Sequence, residues 1–164
     1  MIQENVIETI ILNFSENEDE LEAFVEDMQE EQPVIANYLF SETFEAFTDS
    51  ERSYALYLAL ILWQVIRSQS SDPLSPGSIQ PDDLVVCEEE NWDQIQASSG
   101  GTFRQRLDGF FEKTDEEDLL AFIEDALEID ESDSENVVTK EGREGLFISL
   151  KSVMDCLLKS YKVG

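Results

Sequence analysis

The sequence predicts an all-α protein, a compact bundle of about seven or eight helices around a central apolar helix at residues 49–68. Three observations lead to this fold class. Apolar residues recur at the i, i+3, i+4, i+7 spacing of amphipathic helices along most of the chain. Proline, serine and glycine are concentrated at two breaks, residues 68–81 and 98–101. Finally, 41% of the 164 residues are hydrophobic, which is enough to bury a core.

The first part of the chain predicts four helices, at residues 6–14, 17–32, 33–47 and 49–68. In the first three, the apolar residues follow one helical face. Pro33 suits the first turn of the third helix, because its missing N–H would have no partner there. Thr48 and Glu51 form a capping-box pattern in front of the fourth helix. This fourth helix is apolar on all sides, so we expect the other helices to surround it.

Residues 68–81 predict a connector within a single helical domain that spans residues 1–164. The segment holds three of the four prolines and several serines, a composition typical of a break between helices. It would join two sub-halves, residues 1–67 and 82–164.

The part of the chain after the connector predicts three further helices and one ambiguous segment. Residues 82–97 are compatible with a helix or a short strand, because Val85, Val86 and Cys87 are adjacent apolar residues. The first of the three helices begins near Phe103. The second follows a capping-box pattern from Thr114 to Glu117, and the third follows a polar loop. The last two are expected at residues 115–129 and about 140–162.

One phrase occurs twice, as LEAFVEDMQEE at residues 21–31 and as LLAFIEDALEI at residues 119–129. It represents either a decayed two-fold internal repeat or two independent solutions to an acidic amphipathic helix. At about 100° per residue, the acids of both copies point away from the apolar face. We therefore expect a solvated or partner-facing acidic surface formed by Glu26, Asp27, Glu30, Glu124, Asp125 and Glu128.

Several kinds of chemistry are excluded by missing residue types. The chain has no histidine, which removes Ser-His-Asp and Cys-His catalysis and histidine-containing zinc sites. Neither a Walker A loop nor a G-x-G-x-x-G motif is present. Cys87 and Cys156 are far apart in sequence and are expected to be free thiols. The sequence thus predicts no catalytic site and no cofactor.

Carboxylates remain as potential metal ligands. The pairs Asp27/Glu30 and Asp125/Glu128 could hold Mg²⁺ for phosphate ester hydrolysis if their helices faced each other, but their orientation argues against this. The loop from Asp130 to Glu141 resembles a calcium-loop spacing in part. However, Glu135 stands at the position that needs glycine for its sharp turn, so we expect a solvated loop and no metal.

The charge is the unusual property of this chain. Its 38 acidic and 10 basic residues give a net charge of −28, which repels nucleic acid and anionic membranes. The favoured hypothesis is an interaction or regulatory module that binds a basic protein partner. Three alternatives remain. The chain could be a DNA mimic that inhibits a nucleic-acid-binding protein, or a metal-dependent phosphate ester hydrolase. In the third alternative, the acidity adapts the protein to a salty cytoplasm and indicates no function.

The sequence also predicts a cytoplasmic protein that does not enter the membrane. Its first ten residues contain no lysine or arginine and lead into no signal-peptide core. The longest apolar run, Tyr54 to Trp63, is about half the length that a membrane span requires.

Overall fold

The computed structural model describes residues 1–98 and 100–163. Ser99, within the predicted break at residues 98–101, and Gly164 lie outside the described residues. The described part of the chain forms eight α-helices and no β-strand, which confirms the all-α prediction. The helices are α1 Glu4–Glu16, α2 Leu21–Glu31, α3 Pro33–Leu39, α4 Asp49–Ser68, α5 Pro81–Gln96, α6 Phe103–Lys113, α7 Glu117–Ala126 and α8 Arg143–Ser160.

Several predicted boundaries change in the structure. The predicted helix at residues 17–32 begins with a 3₁₀ turn, Glu18–Glu20, and the one at residues 33–47 ends at Leu39, with a second 3₁₀ helix at Glu42–Ala46. The ambiguous segment at residues 82–97 is helical and forms α5. Both helices after residue 114 are shorter at each end than predicted.

The predicted capping box at Thr114 is wrong. The Thr114 hydroxyl accepts a hydrogen bond from the Glu116 N–H at 3.0 Å, which forms a tight turn ahead of the helix. Because of this turn, α7 begins only at Glu117 and has no side-chain cap. A capping box that the sequence analysis missed opens α6, where Thr102 and Gln105 exchange hydrogen bonds of 3.1 Å.

The central helix α4 forms as predicted. The Thr48 hydroxyl accepts from the Glu51 N–H, and the Glu51 carboxylate accepts from the Thr48 N–H, both at 3.0 Å. Ten of the 20 residues of α4 are buried, which agrees with its apolar character on all sides. Among the described helices, none combines the length and the apolar character needed to cross a bilayer.

Helix α8 lies beside α4 and runs parallel to it. At the beginning of both helices, Thr139 donates to the Glu51 carboxylate. At the other end, the Trp63 indole N–H donates to the Tyr161 hydroxyl at 2.9 Å, and Ser70 forms an isolated antiparallel bridge with Val163. Eleven residues of α8 are buried. Two helices from opposite sides of the connector therefore form the centre of a core to which the other described helices also contribute.

The remaining helices cover this central pair. Helices α1, α2 and α3 contact α4, helix α5 contacts α8, and α7 contacts both. The connector folds back onto the end of α8, where the Gly77 N–H donates to the Ser160 carbonyl at 2.7 Å. The helices with the doubled phrase have different neighbours, since α2 packs mainly on α3 and α7 on α1 and α8. The internal repeat stays a hypothesis.

Glu51 is the most deeply buried acidic residue of the described chain, with 1% of its surface exposed. Its carboxylate accepts three hydrogen bonds of 3.0 Å, one from the Thr48 N–H and two from Thr139. Burial alone would raise the pKa of Glu51, but these hydrogen bonds outweigh it and hold the pKa below its ordinary value of 4.5. The charged carboxylate is thus the form that the fold stabilises.

We expect Glu51→Gln to lower the free energy of unfolding at pH 7 by about 1–3 kcal/mol, measured by urea denaturation. Glutamine preserves the capping box if its oxygen faces Thr48, but the NH2 group that then faces Thr139 can accept neither of the two hydrogen bonds from Thr139. Because the folded-state pKa is depressed, the stabilisation is present above the pKa of the unfolded chain. It is lost as pH falls through the folded-state value.

The difference in the free energy of unfolding between wild type and Glu51→Gln should therefore decrease below pH 4.5. Glu22→Gln, on the exposed face of α2, serves as the control and should change stability by less than about 0.5 kcal/mol. Equal stability of Glu51→Gln and wild type at pH 7 would contradict the role of this carboxylate.

Candidate functional site

A groove with an apolar floor and an acidic rim lies between α1, α4 and α7, and is called here the α1/α4/α7 groove. It has a volume of about 620 Å³, which is within the range of ligand-binding clefts. The apolar side chains come from three helices far apart in sequence, and they include Ile7, Ile11, Tyr54, Tyr57, Ile61 and Phe122.

Four carboxylates surround this apolar floor: Glu4 and Glu8 from α1, and Asp118 and Asp125 from α7. Within the described chain, none of the four forms a salt bridge with a basic side chain. Asp118 is engaged locally, because it accepts the Glu4 N–H at 3.0 Å. The rim therefore carries negative charge that the described basic residues do not neutralise.

Two tyrosines of α4 give the groove polar character within its apolar floor. The Tyr54 hydroxyl donates to the Ala126 carbonyl at 2.7 Å, which links α4 to the end of α7. Burial raises the pKa of Tyr54 and of Tyr57, and for Tyr57 the charge of Glu18 adds to the effect. Both phenols remain protonated at neutral pH, so neither adds charge to the groove.

The predicted acidic residues of α2 lie on the surface, as their periodicity predicted. Glu26, Asp27 and Glu30 are exposed. Asp27 and Glu30 line a shallow hollow of about 340 Å³ beside Arg67, whose guanidinium pairs with Glu31 at 2.8 Å. This surface lies outside the α1/α4/α7 groove.

The second predicted acidic set, Glu124 and Asp125 of α7 and Glu128 just after this helix, is divided between different surroundings. Asp125 and Glu128 are exposed, and Asp125 lies on the rim of the α1/α4/α7 groove. The Glu124 carboxylate is only 19% exposed and pairs with the Arg104 guanidinium at 3.0 Å. Glu124 is therefore engaged within the chain. Asp27 and Glu30 line one hollow, whereas Glu124, Asp125 and Glu128 line another, so the structure does not bring the two sets together.

Among residues 1–98 and 100–163, no group of three or more histidine, cysteine, aspartate or glutamate side chains is placed to hold a metal ion. In the loop that resembles a calcium site, the polar groups bond to one another. Ser132 donates to Asp130 through its hydroxyl at 2.6 Å and its N–H at 3.0 Å, and these bonds lower the pKa of Asp130. Asn136 closes the loop through the Asp130 carbonyl at 2.7 Å.

Comparison with known protein families, with curated proteins and with solved structures gives no match. The protein is therefore characterised by its fold and by its surface groove. The structure describes an all-α protein with an acidic, apolar-floored groove on its surface. Sequence reasoning identified Asp125 but missed the other groove residues. The only signal for them was the placement of acids beside the apolar stripe of α1, at Glu4 and Glu8.

We expect Glu8→Gln/Asp125→Asn to leave the free energy of unfolding within about 0.5 kcal/mol of wild type, or to raise it. Both carboxylates are exposed, and removing them relieves repulsion from neighbouring acids. Urea denaturation at low ionic strength measures the effect.

Glu124→Gln is the matched control, because it removes an acid of α7 that has an internal partner. It should lower stability by up to about 1 kcal/mol, since the Arg104 ion pair is partly exposed. If the groove variant lost more stability than Glu124→Gln, the groove acids would be structural residues.

Proposed function

We propose that this chain is an acidic interaction module that binds a basic amphipathic segment of a partner protein in the α1/α4/α7 groove. One observation carries the proposal. The groove, with a volume of about 620 Å³, has an apolar floor and a rim of four carboxylates, and none of these carboxylates forms an ion pair with a described basic residue. A segment with apolar side chains on one face and lysine or arginine on its flanks complements both features.

The dimensions of the groove favour a helical segment. The part of α1 that lines the groove runs from Glu4 to Ile11, which is about two turns or roughly 11 Å. The i, i+3, i+4 and i+7 side chains of a partner helix also span about two turns and would lie along such a wall. Ile11, Tyr57 and Phe122 are partly exposed, so the floor offers apolar surface that association would remove from water.

The net charge of −28 supports this choice of partner. A field of this size steers cationic segments towards the protein and raises the association rate, mainly at low ionic strength. The acids of α2, at Glu26, Asp27 and Glu30, contribute to this field from outside the groove. The proposal thus assigns long-range attraction to the whole surface and specific binding to the α1/α4/α7 groove.

The same proposal includes a cytoplasmic location. Cys87 and Cys156 are free thiols in the structure, a state typical of reducing compartments.

The proposal is tested with a synthetic helical peptide that carries leucine on one face and lysine on the flanks. We expect it to bind more tightly than a scrambled peptide of the same composition, measured by fluorescence anisotropy. Raising the salt concentration should weaken binding, because screening shortens the range of the charges. Glu8→Lys/Asp125→Lys should weaken binding by about tenfold or more, because it places cations on the rim.

Glu26→Lys/Glu30→Lys is the matched control, since it changes the net charge by the same amount on the surface of α2. It should weaken binding by no more than about threefold. Equal losses in the two variants, or equal binding of the scrambled peptide, would reduce the interaction to unspecific attraction. In that case the groove would not be the site, and adaptation to salt would explain the acidity better.

A further inference from the structure

The two cysteines lie next to each other, although 69 positions separate them in sequence. Cys87 belongs to α5 and Cys156 to α8, two helices packed along much of their length. The Cys156 thiol donates to the Cys87 sulfur across 3.8 Å. Both residues are free thiols in the structure, with exposed fractions of 3% and 1%.

A buried polar cluster holds α5 and α8 in register one turn away from the thiols. The Asn91 amide donates to the Ser152 hydroxyl at 3.0 Å and to the Asp155 carboxylate at 3.1 Å. A disulfide requires the sulfur atoms at about 2.05 Å. Rotation of the cysteine side chains can bring the two sulfur atoms much of the way together, because α5 and α8 already contact each other where the two cysteines lie.

The thiol pair adjoins an open cleft between α5, α6 and α8, called here the α5/α6/α8 cleft, with a volume of about 520 Å³. Cys87 lines this cleft, whereas Cys156 does not. Three of the five lysines of the chain also line it, although the chain is strongly acidic overall: Lys113, Lys151 and Lys159.

The cleft also contains the acids Glu90 and Asp155. The Lys151 ammonium pairs with Asp155 at 2.5 Å, and the Lys113 ammonium donates to the Gln94 side chain at 2.5 Å. Lys159 is exposed. The three lysines and two acids that line the cleft leave it with one net positive charge beside Cys87, in a chain that is strongly acidic overall.

The two thiols differ in acidity. The hydrogen bond from Cys156 lowers the pKa of Cys87, and the charge of Lys159 acts in the same direction. Burial and the charges of Asp155 and Glu90 oppose this lowering of the pKa. The same hydrogen bond raises the pKa of Cys156, and burial raises it further. Cys87 is thus the better nucleophile, and it is also the residue that lines the cleft.

We propose that Cys87 and Cys156 form a dithiol–disulfide redox site that exchanges with small anionic disulfides entering the α5/α6/α8 cleft. Glutathione disulfide, whose carboxylates the lysines would attract, represents this chemical class. Disulfides in reducing compartments are mostly transient and serve catalysis or redox sensing.

The exchange has two balanced steps. The Cys87 thiolate attacks one sulfur of the small disulfide, a mixed disulfide forms, and one small thiolate leaves and takes up a proton. The Cys156 sulfur then attacks Cys87, and the second small thiol leaves with the proton that Cys156 gives up. Two protein thiols are oxidised, and one small disulfide is reduced to two thiols.

The test exposes the folded wild-type chain to glutathione disulfide and counts the remaining thiols by alkylation and intact mass. We expect neither cysteine to be alkylated afterwards. The intact mass of the chain should fall by the mass of two hydrogen atoms, and no glutathione should remain attached. Excess reduced glutathione should restore both thiols. A wild-type chain that keeps both thiols, or that accumulates glutathione on each cysteine, would overturn the proposal without any variant having to fold.

Two single variants distinguish the roles of the cysteines. Cys156→Ser should retain glutathione on Cys87, because no second thiol displaces it. Cys87→Ser should react about tenfold more slowly than Cys156→Ser, because Cys156 does not line the cleft. The opposite order of rates would contradict the assignment of Cys87 as the nucleophile.

The preference for anionic disulfides is tested with Lys159→Glu. Its reaction with glutathione disulfide should slow by about threefold, while its reaction with the neutral hydroxyethyl disulfide should change less. Lys140→Glu, in the loop between α7 and α8, is the matched control and should leave both rates near wild type. Equal effects of the two substitutions would remove the cleft lysines from the proposal.

Discussion

The fold depends on one buried carboxylate that joins the beginnings of its two central helices. Helices α4 and α8 are parallel, so the positive ends of their dipoles lie side by side and repel each other. Glu51 places a negative charge between these ends, and its hydrogen bonds to Thr48 and Thr139 fix it there. A Cβ atom at Gly142 would lie 2.2 Å from this carboxylate, so the small residue at the start of α8 leaves the space that the charge requires.

Three of the ion pairs among the described residues connect different helices. Arg67 joins α4 to Glu31 of α2, Arg104 joins α6 to Glu124 of α7, and Arg106 joins α6 to Glu144 of α8. These ion pairs neutralise acids at the joints between helices. The rim of the α1/α4/α7 groove has no such ion pair among the described residues, in common with most of the acids of this chain.

The sequence was sufficient for features that depend on local patterns. The apolar character of α4 and its capping box at Thr48 led to the correct central helix. The box predicted at Thr114 failed, because a hydroxyl can close a turn as readily as it caps a helix. The groove and the Cys87–Cys156 pair could not be predicted, since each depends on which distant helices pack together, and periodicity gives the buried face of a helix without naming its neighbour.

The pairing of α4 with α8 also affects the order in which the chain can fold. The buried face of α4 is completed by a helix about ninety residues further along, so the core contains contacts of long sequence separation. During synthesis, the apolar side chains of α4 remain exposed until α8 has been made. Exposed apolar surface of this kind promotes aggregation or chaperone binding. The strong negative charge of the surrounding segments would keep such nascent chains apart. The acidity would then protect the protein before its native surface exists.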